Sequence, residues 1–322
     1  MKKHSKEREK NRQKKGTIKK IKKALATTKK PILKRKSSKS FWEQKGFGTK
    51  KPSKIKLHTK VDDNNKYIKT GIDGFDALFE EEYGLPSGAS ILIEGGPGSG
   101  KTIFCLATVN GMCKRGKKCL YMSFEEPEER LTDHMRHFNW DADEFIKKGL
   151  LRIKRFDALD VSRSVEALLS AAKKELLIEV DPVLFPEDFH PDFVVIDSLS
   201  SIASAFSGQK SRFRIYMEQL FRYLEKNKIT NFLVREVSAP THVGTTFKEQ
   251  GEAVSFLSDG IVILYSVIYS SGERTSAIEI LKMRGVDFDK KIVEMKIINK
   301  KGVEINPDKI LKKDDWTNFE LT

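Results

Sequence analysis

The chain has 322 residues and a net charge of +15, from 60 lysines and arginines against 45 aspartates and glutamates. No apolar stretch approaches the roughly 18 residues that a membrane-spanning helix needs, and no apolar segment follows the basic start as it would in a secretory signal. The three cysteines, Cys105, Cys113 and Cys119, form no C-x-x-C pair and have no histidines at metal-site spacing. We therefore expect a soluble cytoplasmic protein with buried, reduced thiols, and we exclude a disulfide scaffold.

The positive charge is concentrated at the N-terminus. Residues 1–60 hold 24 basic and 3 acidic side chains, whereas the rest of the chain holds 36 basic and 42 acidic ones. Because such a segment cannot bury enough apolar surface to offset its ordering entropy, residues 1–64 are predicted to be a largely disordered extension. A basic arm attracts nucleic acid by counterion release, and Trp42 and Phe47 offer aromatic faces for base stacking. A solvated tail, a contact with acidic lipid and a localisation signal are the alternatives.

From residue 65 onward, short apolar runs alternate with segments of helical periodicity, the pattern of a parallel sheet covered by helices. The predicted strands are 90–94, 118–124, 151–155, 192–197 and 231–236, and the predicted helices are 101–114, 127–138, 162–177 and 212–227. Three further strands are predicted at 260–268, 275–282 and 291–298, with turns at 271–272 and 301–302. The sequence predicts one α/β domain at 65–312, with a mostly parallel central sheet, flanking helices and antiparallel C-terminal strands, followed by a tail at 313–322.

The segment between the first predicted strand and the first predicted helix matches G-x-x-x-x-G-K-[ST], the phosphate-binding loop. Its glycines let the main chain curl so that several N–H groups converge on phosphate oxygens, at the positive end of the following helix. In this arrangement Lys101 neutralises the β- and γ-phosphates and the Thr102 hydroxyl ligates magnesium. The predicted ATP-binding residues are Gly95, Gly96, Pro97, Gly98, Ser99, Gly100, Lys101, Thr102 and Ile103. ATP and Mg²⁺ are therefore the expected ligands.

Acidic side chains follow two of the predicted strands. Asp197 ends a buried apolar run, at the edge where ligands bind in open α/β sheets, and is the predicted second magnesium-binding side chain. Glu125 and Glu126 are adjacent and point in different directions, so one can reach an attacking water and the other the metal shell. Alternatively, both acids only stabilise the start of the next helix through its dipole, although two further acids already occupy its first turn.

Two groups of cations are further candidates. Lys282 and Arg284 are two apart on a late strand, so their side chains share one face and could form an arginine-finger pair; an exposed pair on an edge strand is the alternative. Nucleic-acid contacts are predicted in two loops, 207–214 and 239–251. The candidate residues there are Lys210, Arg212, Arg214 and Lys248.

Several motifs, in this order, resemble the KaiC-like branch of the RecA superfamily of ATPases, from about Tyr67 to Ile310. The motifs besides the phosphate loop are T-G-I-D-G-F-D at 70–76, G-L-P-S-G at 84–88, S-F-E-E-P at 123–127, F-N-W-D at 138–141, V-I-D-S at 195–198, S-D-G at 258–260 and K-M-R-G at 282–285. The acid pair and the K-x-R-G motif are the parts specific to the family, because the phosphate loop alone is widespread.

The resemblance implies a RecA-like core that assembles into rings, usually hexamers, with ATP between neighbouring subunits. It implies that Glu125 is the general base, that Glu126 supports the metal and the water, and that Lys282 and Arg284 reach the γ-phosphate of the adjacent subunit. Glu236 is expected near the nucleotide. These roles are expectations carried over from the family.

The sequence also departs from the family. Clock proteins of this branch carry two such domains and the chain has one, so a circadian role does not follow. Recombinases of the superfamily carry a folded DNA-binding domain where this chain has a basic arm, and residues 178–190 have no recognised counterpart. Two functions from different classes remain: an ATP-hydrolysing oligomer that acts on or near nucleic acid, and an ATP-driven signalling switch that recruits a protein partner. A nucleic-acid-binding module with a vestigial ATPase is less consistent with the intact phosphate loop and acids.

Overall fold

The computed structural model of the protein describes residues 66–80, 82–172, 185–186, 188–206, 208–237, 252–268 and 273–311. The predicted N-terminal extension with Trp42 and Phe47 lies outside the described residues, as do Lys248, the turn at 271–272 and the tail at 313–322. Within the described ranges, no helix has the length and apolar character needed to cross a bilayer. The three cysteines are buried free thiols, as the sequence predicts.

A nine-stranded mixed sheet organises the described part of the chain. Its strands are β3 (Ser90–Gly95), β4 (Cys119–Ser123), β5 (Leu151–Arg155), β6 (Phe193–Asp197), β7 (Thr230–Glu236), β8 (Gly260–Ile268), β9 (Arg274–Met283), β10 (Val293–Ile298) and β11 (Gly302–Ile310). Two short strands, β1 (Tyr67–Ile68) and β2 (Leu85–Pro86), pair with each other in a separate small sheet.

The strand order is β11-β10-β9-β8-β3-β7-β6-β4-β5. The six strands from β8 to β5 in this order are mutually parallel, whereas β8–β9, β9–β10 and β10–β11 are antiparallel pairs. This confirms the predicted α/β class, with a mostly parallel sheet that ends in antiparallel C-terminal strands. Strands β3 and β6 lie on either side of β7, so the loops that follow them open at the same sheet edge.

Eight helices connect the strands within the described residues. They are α1 (Asp73–Asp76), α2 (Lys101–Lys114), α3 (Glu128–His137), α4 (Ala142–Lys147), α5 (Ala158–Ala172), α6 (Leu199–Ala205), α7 (Lys210–Lys226) and α8 (Glu252–Leu257). Helices α2, α3 and α4 pack on one sheet face, and α6, α7 and α8 pack on the other. Each face has its own apolar core because successive strand residues alternate sides: Ile91 and Ile93 belong to the first core, and Leu92 to the second.

Several predicted boundaries were wrong. Helix α5 begins at Ala158 rather than 162, and Pro127 precedes α3 in an extended conformation instead of lying within its first turn. The segment 207–214 is only partly a loop, because α7 begins at Lys210. The short helices α4 and α6 and the last strand β11 were not predicted. Strand β11 contains Pro307 and many polar residues, which a sheet tolerates at its edge.

Candidate nucleotide site

The phosphate loop connects the end of β3 to the start of α2. Gly98 and Gly100 have φ angles of 72° and 94°, in the left-handed region that favours glycine. A Cβ on Gly100 would lie 2.7 Å from Cδ1 of Ile297, so the loop also packs closely against β10. The loop therefore has the curled main chain that its glycine spacing predicts.

Lys101 folds back over this loop. Its Nζ donates to the carbonyl oxygens of Gly95 at 3.0 Å and Gly96 at 2.7 Å. Burial lowers the pKa of Lys101, and the nearby carboxylates of Glu236, Asp197 and Glu125 oppose this shift. The ammonium group of Lys101 thus lies over the loop and close to acids from other segments. One of these acids is Glu236, which agrees with the expectation that Glu236 lies near the site.

Asp197 ends β6 and contacts the start of α2. Its Oδ2 accepts hydrogen bonds from the Thr102 hydroxyl at 3.0 Å and from the Tyr121 hydroxyl at 2.6 Å. Burial raises the pKa of the Asp197 carboxyl, while both hydrogen bonds favour its ionised form. Thr102 and Asp197, two of the three side chains predicted to bind or support magnesium, are therefore in direct contact, although they are far apart in sequence.

Tyr121 was not predicted to belong to the site. It lies in the middle of β4 and is fully buried, so the sequence shows only another aromatic residue in an apolar strand. The signal available was chemical: a buried tyrosine hydroxyl usually has a hydrogen-bond partner, and alternation along β4 directs residue 121 to the same face as Ser123. In the sheet register Ser123 is opposite Asp197.

Glu125 is held by two serines at the N-terminus of α6. Its Oε1 accepts hydrogen bonds from the hydroxyls of Ser198 at 2.5 Å and Ser201 at 2.9 Å. Ser198 is also the N-cap of α6, since its hydroxyl accepts from the main-chain N–H of Ser201. Because Ser198 directly follows Asp197, these contacts bring the Glu125 carboxylate to the end of β6. Serine is a favoured N-cap residue, so the position of Ser198 directly after the predicted strand was a signal that could have identified it.

Glu126 has a different environment. Its Oε2 lies 3.1 Å from Nε2 of His134 and 3.4 Å from Nε of Arg130, both on α3. The main chain of Glu126 is fixed by Ser123, whose hydroxyl accepts from its N–H and donates to its carbonyl. The two adjacent acids thus point in different directions, as predicted, and the carboxylate of Glu126 faces α3 while that of Glu125 faces α6.

Lys282 and Arg284 lie at the end of β9 and contact the C-terminal end of α8. Lys282 Nζ donates to the carbonyl oxygens of Ser255 at 3.1 Å and Ser258 at 2.6 Å, and Arg284 Nη2 donates to that of Phe256 at 3.2 Å. Burial and the charge of Arg284 lower the pKa of Lys282. Cations are stabilised at the exposed carbonyls of a helix C-terminus, so α8 holds this pair in place.

The register of the sheet separates this pair from the phosphate loop of the same chain. Gly260 pairs with Met283 in β9 and with Ile91 in β3, whereas the phosphate loop follows Gly95. At about 3.3 Å per residue, the four residues from Ile91 to Gly95 span roughly 13 Å along β3. The cation pair therefore lies at the opposite edge of the sheet from the phosphate loop of its own chain.

The candidate nucleic-acid contacts near α7 are mostly paired within the chain. Arg212 Nη1 lies 2.5 Å from Oε1 of Glu166, and Arg214 Nε lies 3.1 Å from Oε1 of Glu218. Lys210 is exposed at the first turn of α7. The Arg212–Glu166 pair joins two helices and has no local sequence signal, whereas Arg214 and Glu218 are four residues apart on α7, a spacing from which their ion pair could have been predicted.

ATP and magnesium fit the residues that surround the loop. The Ser99 hydroxyl is buried and, among the described residues, has no hydrogen-bond partner, so the loop holds a polar atom that a phosphate oxygen could satisfy. The described ranges contain no cluster of three or more His, Cys, Asp or Glu side chains that could bind a metal ion without help from a ligand. Magnesium in such sites takes only one or two protein oxygens together with substrate phosphates, which agrees with the Thr102–Asp197 pair.

Comparisons with known proteins show which family the chain resembles. A protein-family model described as "ATPase: KaiC" matches residues 68–310. The chain is 30% identical over 253 residues to circadian clock protein KaiC3 of Synechocystis, covering 76% of this chain and 46% of that protein. It is 27% identical over 263 residues to a UPF0273 protein of Pyrococcus horikoshii, covering 76% of this chain and 96% of that protein. The chain spans about half the length of the clock proteins that it matches.

The fold has a solved counterpart. The crystal structure of a KaiC-like protein from Pyrococcus horikoshii OT3 superposes with a TM-score of 0.58 at 24% identity, covering 75% of this chain and 99% of that one. This likeness concerns the fold alone, whereas the family match covers most of the sequence, including the phosphate loop, the acid pair and the K-x-R-G motif. The chain therefore belongs to the KaiC family of ATPases.

Proposed function

We propose that the protein binds ATP at the loop between β3 and α2 and hydrolyses it with the help of Glu125. The observation that carries the proposal is the cluster at one sheet edge, where Lys101, the Thr102–Asp197 contact and the serine-held Glu125 adjoin the curled loop. Lys101 would exchange its two carbonyl partners for phosphate oxygens. Glu125 would accept a proton from the attacking water, because its carboxylate is already oriented by two hydroxyl donors.

Thr102 and Asp197 would hold magnesium, which when bound neutralises charge on the β- and γ-phosphates. Tyr121 would keep Asp197 oriented through the bond to Oδ2. Glu126 would support the water or the metal shell, while its Oε2 contacts His134 and Arg130. These assignments predict that ATP binding weakens when magnesium is chelated, which equilibrium binding of a fluorescent ATP analogue would measure.

We infer that Lys282 and Arg284 act on the ATP of a neighbouring subunit. The sheet register supports this reading, because both residues lie at the edge opposite their own phosphate loop. Such a shared site requires an oligomer, and the family resemblance favours a ring, usually a hexamer. A finger supplied by a neighbour contributes about 10³–10⁵ in rate in other phosphate-loop enzymes.

Mixing two inactive variants tests the shared site. Lys101→Ala removes phosphate binding and Arg284→Ala removes the finger, so each protein alone should be nearly inactive. Mixed oligomers contain interfaces with both residues intact and should regain turnover. Absence of any recovery, in a mixture whose co-assembly is verified with differently tagged subunits, would refute catalysis across subunits.

We further propose that the basic arm at residues 1–60 brings the ATPase to nucleic acid. The charge distribution supports this, and the arm is the stronger candidate because Arg212 and Arg214 have acidic partners within the chain. DNA or RNA should raise ATP turnover of the full-length protein but not of a shortened protein that begins at Asn64. Binding should weaken steeply between low and physiological salt. Equal turnover with and without nucleic acid in both proteins would favour the signalling switch instead.

A further inference from the structure

A buried ion pair lies next to the phosphate loop on the sheet face opposite α2. Arg235 Nη2 of β7 is 2.5 Å from Oε1 of Glu94 of β3, and the two side chains are only 17% and 9% exposed. Glu94 directly precedes Gly95, the first residue of the loop, and is opposite Arg235 in the parallel register. Buried charges are costly unless they are paired, so each of these two side chains holds the other in position.

The same arginine reaches α8. Arg235 Nη2 donates to the Ser255 hydroxyl at 3.2 Å, and the Ser255 carbonyl accepts from Lys282 Nζ at 3.1 Å. Ser255 thus contacts Arg235 through its side chain and Lys282 through its main chain. A continuous series of polar contacts connects the strand that enters the phosphate loop with the cation pair at the opposite sheet edge.

A β-bulge directs Lys282 toward this face. The register of β8 and β9 shifts between Ile261 and Val262, so that Val262 is opposite Ile280 whereas Ile261 is opposite Lys282. Without the extra residue, Leu281 would be opposite Ile261 and Lys282 would point to the other sheet face, because strand side chains alternate. The bulge therefore brings the ammonium group to the α8 carbonyls.

We propose that Arg235 and Ser255 are positioning residues. They fix the position of α8, and with it Lys282 and Arg284, relative to β3, the strand that leads into the phosphate loop of the same subunit. The two ends of this chain of contacts belong to different active sites, since the loop serves the subunit's own ATP and the cation pair serves the neighbour's. The subunit that binds ATP thereby also orients the finger that it offers to the next subunit. This inference rests on the shared site proposed above.

Ser255→Ala is the most direct test, because it removes the hydroxyl and leaves the carbonyl that binds Lys282. Loss of one such hydrogen bond should lower turnover roughly five-fold. ATP affinity should stay unchanged, since no nucleotide contact is removed. Ser255→Thr keeps a hydroxyl and should restore most of the turnover. Ser204→Ala is the matched control: Ser204 donates to a main-chain carbonyl on the exposed side of α6 and should leave turnover unaltered.

Mixed oligomers show whether the defect lies in the offered finger. A Glu125→Gln protein keeps its phosphate loop and its cation pair but lacks the proposed base. When it is mixed in equal amounts with Ser255→Ala protein, half of the Ser255→Ala sites receive an intact finger. If the defect is five-fold, half of the Ser255→Ala sites would then work at the full rate and half at one fifth of it. Mean turnover per Ser255→Ala subunit should therefore rise about threefold. A structural defect in the subunit's own site would give no rise.

A second mixture, of Glu125→Gln with Arg284→Ala protein, tests the shared active site separately from the positioning role of Ser255. Recovery in this mixture without recovery for Ser255→Ala overturns the positioning role of Ser255 and leaves the shared site intact. Failure of both mixtures refutes the shared site, and the positioning role with it. Unchanged turnover of Ser255→Ala alone also overturns the inference, because the hydroxyl contact would then have no effect on the finger.

Discussion

The Tyr121 hydroxyl donates a 2.6 Å hydrogen bond to the same Asp197 oxygen that accepts from Thr102. Both donors orient the carboxylate from within the protein, since Tyr121 comes from a neighbouring strand and Thr102 from the helix after the phosphate loop. If Thr102 turns toward magnesium when ATP binds, Tyr121 is the donor that continues to hold Asp197. We therefore expect the tyrosine to affect the proposed binding of magnesium.

Tyr121→Phe should weaken magnesium-dependent ATP binding while leaving the buried ring in place. Loss of a hydrogen bond to a charged group is worth about 1.5–3 kcal/mol, so the magnesium concentration for half-maximal ATP binding should rise at least about ten-fold. A magnesium titration with a fluorescent ATP analogue measures this. Binding of the analogue without magnesium should be unaffected.

Tyr216→Phe is the control for Tyr121→Phe. The Tyr216 hydroxyl is also buried and, among the described residues, has no hydrogen-bond partner. Its removal should leave the magnesium requirement unchanged and should leave thermal stability equal or slightly higher. An equal magnesium defect in both variants would mean that the loss of a buried hydroxyl, rather than the contact with Asp197, causes the effect.

Asp197→Asn should stabilise the protein in magnesium-free buffer at neutral pH. Burial raises the pKa of Asp197 above its unfolded value, so the folded state binds this proton more tightly and stability falls as pH rises through the folded pKa. Ionising this buried carboxyl therefore costs stability, and the neutral amide does not carry that cost. A tenfold difference in proton affinity between the folded and unfolded states corresponds to about 1.4 kcal/mol, and each 1 kcal/mol to about 2–4 °C in Tm for a domain of this size.

The gain in Tm from Asp197→Asn should be larger at pH 7 than at pH 4, where the wild-type carboxyl is more protonated. Asp188→Asn offers a control of opposite sign, because the paired guanidinium of Arg152 lowers the pKa of Asp188. That substitution should not stabilise the protein at pH 7. Differential scanning fluorimetry at both pH values measures both effects, and a lower Tm for Asp197→Asn at pH 7 would contradict the burial argument.

Much of the site was predictable because its signals are local. The glycine spacing of the phosphate loop requires left-handed residues such as Gly98 and Gly100, and Asp197 ends a strand long enough to be recognised by its apolar run. The parallel core of the sheet also follows from alternation of strands and helices, since parallel strands need crossover helices. These features depend on neighbours in sequence, which pattern analysis detects directly.

The remaining features depend on contacts between distant segments. Nothing in the composition of β4 distinguishes Tyr121 from a core aromatic residue. Glu94 and Arg235 become neighbours only when β3 and β7 pair in the sheet. The sheet face to which Lys282 points depends on a β-bulge, which the alternation of side chains along a strand does not reveal. Sequence reasoning identified which residues carry charge at the site, and the tertiary contacts determine which groups they face.

Gly100→Ala should abolish ATP binding by changing the shape of the loop. Any Cβ there is strained at a φ of 94°, and this strain falls within the phosphate loop; the 2.7 Å approach to Cδ1 of the exposed Ile297 side chain matters less, because that side chain can move away. Gly116→Ala is the reference, because Gly116 also has a positive φ, of 75°, but its Cβ would meet nothing within 4 Å. Both variants should lose about 1–2 kcal/mol of stability from left-handed strain. Only Gly100→Ala should lose ATP binding, because only Gly100 lies in the phosphate loop, and equal affinities in the two variants would contradict the argument from loop shape.

Glu125→Gln and Glu126→Gln should differ, because the two carboxylates face different helices. Loss of a general base lowers turnover about 10²–10⁴-fold, which we expect for Glu125→Gln with ATP binding retained. Glu126 is proposed only to support the water or the metal shell, and its partners His134 and Arg130 are 36% and 68% exposed, so its substitution should cost less, about ten-fold or below. Single-turnover hydrolysis at saturating ATP separates these effects from binding. A larger loss for Glu126→Gln would reverse the assignment and make Glu126 the general base.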